Sequence, residues 1–206
     1  MHRIPYTVPA DFIWQLSPTR YKTKFEISHF LLGTRTQVSS GEISQNNGLS
    51  PNLFTDKIRS EDQVVFNHSN NLLEYSNKSP SEALETNAQD QLSVIYQLGY
   101  WIAKNSTQLS LGAKTPIQLV SKKNSEKREF QYMGSEILSL PSPIGKVEAF
   151  KIIRVTRSID DQRATVWLLK NKALTLGRLL LEDHNGDFVD QKLNRFELIS
   201  GLKLDE

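Results

Sequence analysis

Cysteine is absent from the 206 residues, which excludes structural disulfides, thiol nucleophiles, thiolate metal sites and iron–sulfur clusters together. Long apolar runs are missing too. No stretch approaches the roughly 20 apolar residues of a membrane-spanning helix, so no transmembrane segment is expected in this chain. Charge of one sign is scarce: 25 basic and 23 acidic side chains leave a formal net charge of +2, too small an excess for a polyanion-binding field. The one dense basic stretch, Lys122, Lys123, Lys127 and Arg128, is interrupted by Glu126 and Glu129. It reads as a solvated hairpin, and nucleic acid is not an expected partner. His2, His29, His68 and His184 lie far apart without ligand-type spacing, so no metal site is expected. A Gly-rich phosphate loop, a nucleophile elbow and a dinucleotide fingerprint are all missing, and no cofactor is expected.

What is present is evenly spread. Hydrophobic residues make up 38% of the chain with no long polar tract between them, enough for one sizeable core. Residues 1–18, with Pro5, Pro9 and Pro18, read as an extended lead-in, and 19–206 as a single β-rich domain. Met1 to Ala10 lacks the basic-then-apolar order of a signal peptide, and the expectation is of a chain from which an export signal or anchor has been removed. From Thr19 to His29 the pattern alternates, with Tyr21, Thr23, Phe25, Ile27 and His29 on one face. A half-buried strand fits. Further strands are expected over 34–40, 53–59, 63–67 and 72–76, then over 117–121, 128–133, 136–140, 146–157, 164–169, 176–183 and 188–199. Residues 42–50 and 78–86 read as turn and loop. Asp183 to Asp187, containing Asn185-Gly186, predicts a type I′ hairpin.

One segment breaks the β pattern. Ala88, Leu92, Ile95, Tyr96, Gly99 and Ile102 recur on one face at helical spacing, predicting a principal α-helix over about 88–104. Asn87 is its expected N-cap, with Asp90 three residues later standing in for the acidic member of a capping box and suiting the helix N-terminus. Ser93 lies one helical turn from Asp90, and local hydrogen bonding explains that spacing. Trp14, Trp101 and Trp167 offer large contact areas with a single donor each. An apolar ligand between helix and sheet would be lined by Leu92, Ile95, Tyr96, Trp101, Ile102 and Trp167.

A wider pattern runs through these residues: Ser40-Gly41, Gly48-Leu49-Ser50-Pro51 with Phe54, Ala88-Gln89-Asp90-Gln91-Leu92-Ser93 with Gln97-Leu98, Pro143-Ile144-Gly145, Trp167-Leu168, and Gly186-Asp187 with Gln191 and Leu193. It resembles the proteobacterial family catalogued as domain of unknown function 3108, over about Tyr21 to Leu198. The helix opening is its most specific piece, with Asn87, Gln89, Asp90 and Ser93 as a capping and docking signature. Leu174-Thr175 departs from the Leu-Pro that the family shows after its Trp strand. The resemblance implies a β-rich fold and export to the periplasm or cell envelope, and it implies no enzyme activity.

The expected architecture is therefore mainly β: a strongly curved antiparallel sheet or open β-barrel with one principal helix. The leading functional expectation is a non-enzymatic envelope module holding an apolar or lipid-like ligand between helix and sheet. Its rivals are an interaction or structural domain that offers a sheet edge to an envelope protein, and a hydrolase in which Asp90 or Ser93 meets a histidine.

Overall fold

The computed structural model describes residues 7–29 and 33–198, excluding the side chain of His29. Its strands are β1 (Ala10–Leu16), β2 (Arg20–His29), β3 (Gly33–Ser44), β4 (Gly48–Lys57), β5 (Glu61–Asn67), β6 (Leu72–Tyr75), β7 (Glu82–Ala83) and β8 (Ala88–Asp90). The helix α1 (Ser93–Lys104) follows, and then β9 (Lys114–Val120), β10 (Ser125–Ser139), β11 (Lys146–Arg154), β12 (Arg163–Leu169), β13 (Leu176–Glu182) and β14 (Phe188–Lys192). The chain is mainly β, with one helix among the described residues, as the alternating sequence predicts. It forms two seven-stranded sheets rather than one, β1 to β7 and β8 to β14, each in sequence order. Both orders are open, and no closed barrel forms among the described residues.

Among the described residues, two compact units divide the chain: 7–93 with Leu119–Ser125, and Val94–Gln118 with 126–198. The first unit is an antiparallel meander whose core gathers Phe54, Val64, Phe66, Leu73, Ala88, Leu92 and Val120. Strand β1 falls within residues 1–18, the extended lead-in expected from the sequence. Its alternating Phe12 and Trp14 pair in register with Phe25 and Thr23 of β2, and the Trp14 and Tyr21 rings stack with centroids 5.2 Å apart. A short strand at β7 likewise replaces part of the loop expected over 78–86.

In the second unit, β10 to β14 form an antiparallel meander. The two strands expected at 128–133 and 136–140 are one long strand, β10. A bulge between Tyr132 and Ser135 bends it, and Gly134, at φ 87°, takes the left-handed conformation that a bulge tolerates best in glycine. The hairpin at Asp183–Asp187 also differs from expectation. Asp183 N–H donates to Asp187 O at 2.8 Å and Gly186 N–H to Asp183 O at 3.0 Å, while only Gly186 has a positive φ. A type I′ turn needs two such residues, so this is a longer loop closed by a single left-handed glycine. Strand β14 stops at Lys192, short of the Ile199 expected.

Helix α1 starts five residues later than its apolar spacing suggests, because Ala88–Asp90 is strand. Its buried stripe is Ile95, Leu98 and Ile102. Asn105 ends it by donating Nδ2–H to Trp101 O at 2.7 Å, and Lys104 in the last turn suits the negative end of the helix dipole.

Two glycines make opposite predictions. A Cβ at Gly41 would lie 2.1 Å from Ser50 O, a backbone atom at the β3–β4 irregularity, so Gly41→Ala is expected to cost about 1–3 kcal/mol. A Cβ at Gly99 in α1 would meet Leu174 Cβ at an ordinary 3.5 Å, so Gly99→Ala is expected to stabilise by up to about 1 kcal/mol through helix propensity. Urea unfolding of both variants checks the signs, and equal effects would contradict this account.

Candidate functional site

The residues with the most unusual surroundings form a buried polar cluster in the first unit. Its centre is Asp90, whose side chain is completely removed from solvent. Carboxylate Oδ1 accepts from the backbone N–H of Leu92 at 2.8 Å and of Ser93 at 2.9 Å. In return, Ser93 Oγ accepts from Asp90 N–H at 2.9 Å. This is a reciprocal capping box with Asp90 as N-cap and Ser93 as its N3 partner. It corrects the expectation that Asn87 caps the helix and Asp90 occupies N3. Asn87 instead lies in the turn that enters β8, where Ala88 N–H donates to Glu85 O at 3.1 Å.

The other carboxylate oxygen reaches a different strand. Ser39 Oγ on β3 donates to Asp90 Oδ2 at 2.5 Å, and Tyr21 OH on β2 lies 3.0 Å from the same Ser39 oxygen. With the Ser39 hydroxyl proton committed to Asp90, the phenol donates to Ser39. Burial raises the Asp90 pKa above the usual carboxylate range, with the hydrogen bonds opposing it. Burial also pushes the Tyr21 phenol upward, and the Asp90 charge adds to that. The phenol therefore remains a proton donor.

Alternation on β3 places Gln37 and Arg35 beyond Ser39 on the same face. Gln37 Nε2 donates to Asp56 Oδ2 at 3.3 Å and to Gln91 Oε1 at 3.2 Å. Arg35 grips Asp56 with two bonds, Nε to Oδ1 at 2.9 Å and Nη2 to Oδ2 at 2.7 Å. Burial works against the Asp56 charge, but the bonds and positive charge of Arg35 outweigh it and hold the pKa low. Gln89, also buried, donates Nε2–H to Leu49 O at 2.8 Å. Gln89, Asp90 and Ser93 are all buried and hydrogen-bonded within this cluster.

Asp90 and Ser93 bond each other, and Asp90 also accepts from Ser39 and Leu92. His68 lies elsewhere, with Nε2 donating to Pro51 O at 2.8 Å, so that nitrogen cannot take a proton from Ser50 Oγ, 3.4 Å away. His184 is on the exposed hairpin, and His2 lies outside the described residues. Among the described residues, no group of three or more His, Asp or Glu side chains is placed to hold a metal ion.

The expected ligand-lining residues are dispersed. Leu92 belongs to the core of the first unit, and Ile95 and Ile102 are buried on α1. Tyr96 and Trp101 keep partial exposure. Trp167 belongs to a separate apolar cluster with Leu138, Leu140, Ala149 and Leu169. Its indole N–H donates to Glu136 Oε1 at 2.6 Å, and its ring lies beneath Arg178 Cζ at 4.8 Å and Lys151 Nζ at 5.5 Å. Trp167 is therefore engaged by its own sheet and does not join the α1 residues in one lining.

The cluster around Asp90 was only half visible in the sequence. Tyr21, Gln37, Ser39 and Asp56 were missed as its members, and the available signal was polar side chains at alternate positions of β3, where a core-facing strand carries apolar ones.

Asp90 makes a pH-dependent prediction. A folded-state pKa above the unfolded value contributes stability that is complete below the unfolded pKa and is lost as pH rises through the folded pKa. Asp90→Asn keeps a neutral oxygen facing Leu92 and Ser93. Its stability relative to wild type is expected to improve as pH rises from the ordinary carboxylate range to neutrality. Asp90→Ala strands both N–H groups and Ser39 and is expected to cost about 2–4 kcal/mol. Denaturant melts across pH measure both; a pH-independent difference between Asp90→Asn and wild type would contradict the raised pKa.

No family model matches the sequence, and no curated protein matches it. Among solved structures, the chain is similar to a β-barrel-like protein of the domain of unknown function DUF1849 from Brucella abortus, with a TM-score of 0.54 at 10% identity, covering 90% of this chain and 85% of that one. A DUF1089 family protein from Pseudomonas aeruginosa aligns with a TM-score of 0.43 at 10% identity over 95% of this chain and 96% of that one. The Brucella structure shows likeness of fold alone, shared with a domain of unknown function.

Proposed function

We propose that this chain is a non-enzymatic module of the bacterial cell envelope, related to the family of domain of unknown function 3108, that binds an apolar or amphipathic ligand at the aromatic edge of α1. The observation that carries the non-enzymatic reading is the Asp90–Ser93 pair. Both side chains are buried and spent on capping each other's backbone, which leaves neither a free nucleophile nor a free base. Burial of Leu92, Ile95 and Ile102 narrows the ligand contact on α1 to the partly exposed Trp101, whose ring combines apolar area with a polar tip.

A second reading is favoured by the edge of the second sheet. Strand β14 is its terminal strand, and Phe188 and Val189 on it are 59% and 50% exposed. An envelope polypeptide could add a strand there.

Native mass spectrometry of the protein purified from its own envelope fraction distinguishes these readings. The expected outcome is a co-purifying lipid that is reduced in Trp101→Ala. A co-purifying polypeptide lost on Val189→Lys favours strand addition. Recovery in the cytosolic fraction without either adduct, or ester hydrolysis abolished by Ser93→Ala, would overturn the proposal.

A further inference from the structure

Three arginines gather at one end of the β10–β11 hairpin in the second unit, with two carboxylates among them. Arg128 uses both terminal nitrogens: Nη1 donates to Asp161 Oδ2 at 2.8 Å, and Nη2 pairs with Glu126 Oε1 at 2.7 Å. Arg157 takes what remains, its Nη2 donating to Glu126 Oε2 at 2.8 Å and its backbone N–H to Asp161 Oδ2 at 2.7 Å. Glu126 is thus engaged through both oxygens and Asp161 through Oδ2.

Arg154 is left over. It stands opposite Phe130 in the register of β10 and β11, and its Nη2 donates to the backbone carbonyl of Gln162. No described carboxylate pairs with it, so three cations face two anions and the unbalanced charge sits on a half-buried guanidinium. Burial lowers its pKa and the neighbouring Arg128 lowers it further, against the pull of Glu126 and Asp161. Arg128 shifts the opposite way, because its bonds to Asp161 and Glu126 outweigh its burial. The Nε–H groups of Arg154 and Arg128 are both buried, and neither meets a protein acceptor among the described residues.

Buried donors in folded proteins are nearly always bonded, and an exception marks the place of a water or an ion. The planar guanidinium fork matches an oxyanion, which would supply both the missing acceptor and the missing charge. From this geometry we propose that Arg154, with Arg128 beside it, forms a binding site for a small oxyanion, the phosphate or carboxylate group of a ligand. The site is independent of α1 and stands whether or not an apolar ligand binds there.

Side-chain Nε–H signals of the full chain, followed by NMR during titration with inorganic phosphate and separately with acetate, test it at an ionic strength held constant with chloride. The expected result is a saturable shift of the Arg154 signal, with only a linear drift at Arg163, whose side chain is 67% exposed. Saturation by phosphate alone identifies a phosphoryl group, and saturation by acetate a carboxylate. In Arg154→Gln, the anion-induced rise in melting temperature is expected to need about tenfold more anion, while Arg163→Gln behaves as wild type. A linear response of Arg154 to both anions overturns the proposal, as does an unchanged midpoint in Arg154→Gln. The wild-type titration decides the matter even if that variant does not fold.

Discussion

A carboxylate without access to water must find its donors within the fold, and at Asp90 that requirement organises the first turn of α1. Two donors come from the backbone two and three residues on, which is possible only if Asp90 itself is not yet helical. That fixes the start of the helix and leaves Ala88–Asp90 as strand. The third donor, Ser39, comes from β3, and Tyr21 of β2 holds Ser39 in turn. Three segments remote in sequence thus converge on one side chain. In the β3–β4 register, Ser39 stands opposite Phe54, so this polar convergence borders the apolar core of the unit.

A core built this way trades stability for specificity. Apolar side chains of similar size would pack at less electrostatic cost than Arg35, Gln37, Ser39, Asp56 and Asp90 do. They would also tolerate more than one arrangement. Each polar group here has a directional need met by a named neighbour, and the bidentate Arg35–Asp56 pair accepts little misalignment of β3 against β4.

Much of the fold was legible because most strands alternate in the simplest way, and α1 carries a clear helical stripe. What was not legible depended on partners far away in sequence. The apolar residue Ala88 extends the helical spacing backwards, yet it is strand, because the capping geometry of Asp90 and Ser93 overrides periodicity. Trp14 was read as part of an extended lead-in because Pro9 and Pro18 flank it; it pairs with β2 and its ring stacks on Tyr21. Asn185-Gly186 suggested a two-residue turn, but a loop one residue longer needs only the glycine to be left-handed. For the candidate site, the sequence marked Gln89, Asp90 and Ser93 but not the strand they grip, since a serine on a strand carries no sign of which carboxylate it will meet. Trp167 was grouped with the helix residues by its chemistry alone, whereas its neighbours are Glu136, Lys151 and Arg178 on its own sheet.

That Trp167 setting bears on how the second sheet finds its alignment. Side-chain alternation forbids a slip of one residue, because every core side chain would change face. A slip of two keeps the apolar face inward and is the error that hydrophobic pattern cannot detect. Lys151, Trp167, Arg178 and Lys192 lie directly across β11 to β14, and Asp190 binds both Arg178 and Lys192. Sliding β11 or β13 against β12 by two residues would move a cation off the indole, and sliding β14 against β13 would separate Arg178 from Asp190. The row works as a vernier for the sheet, reading the alignment that the apolar pattern leaves ambiguous.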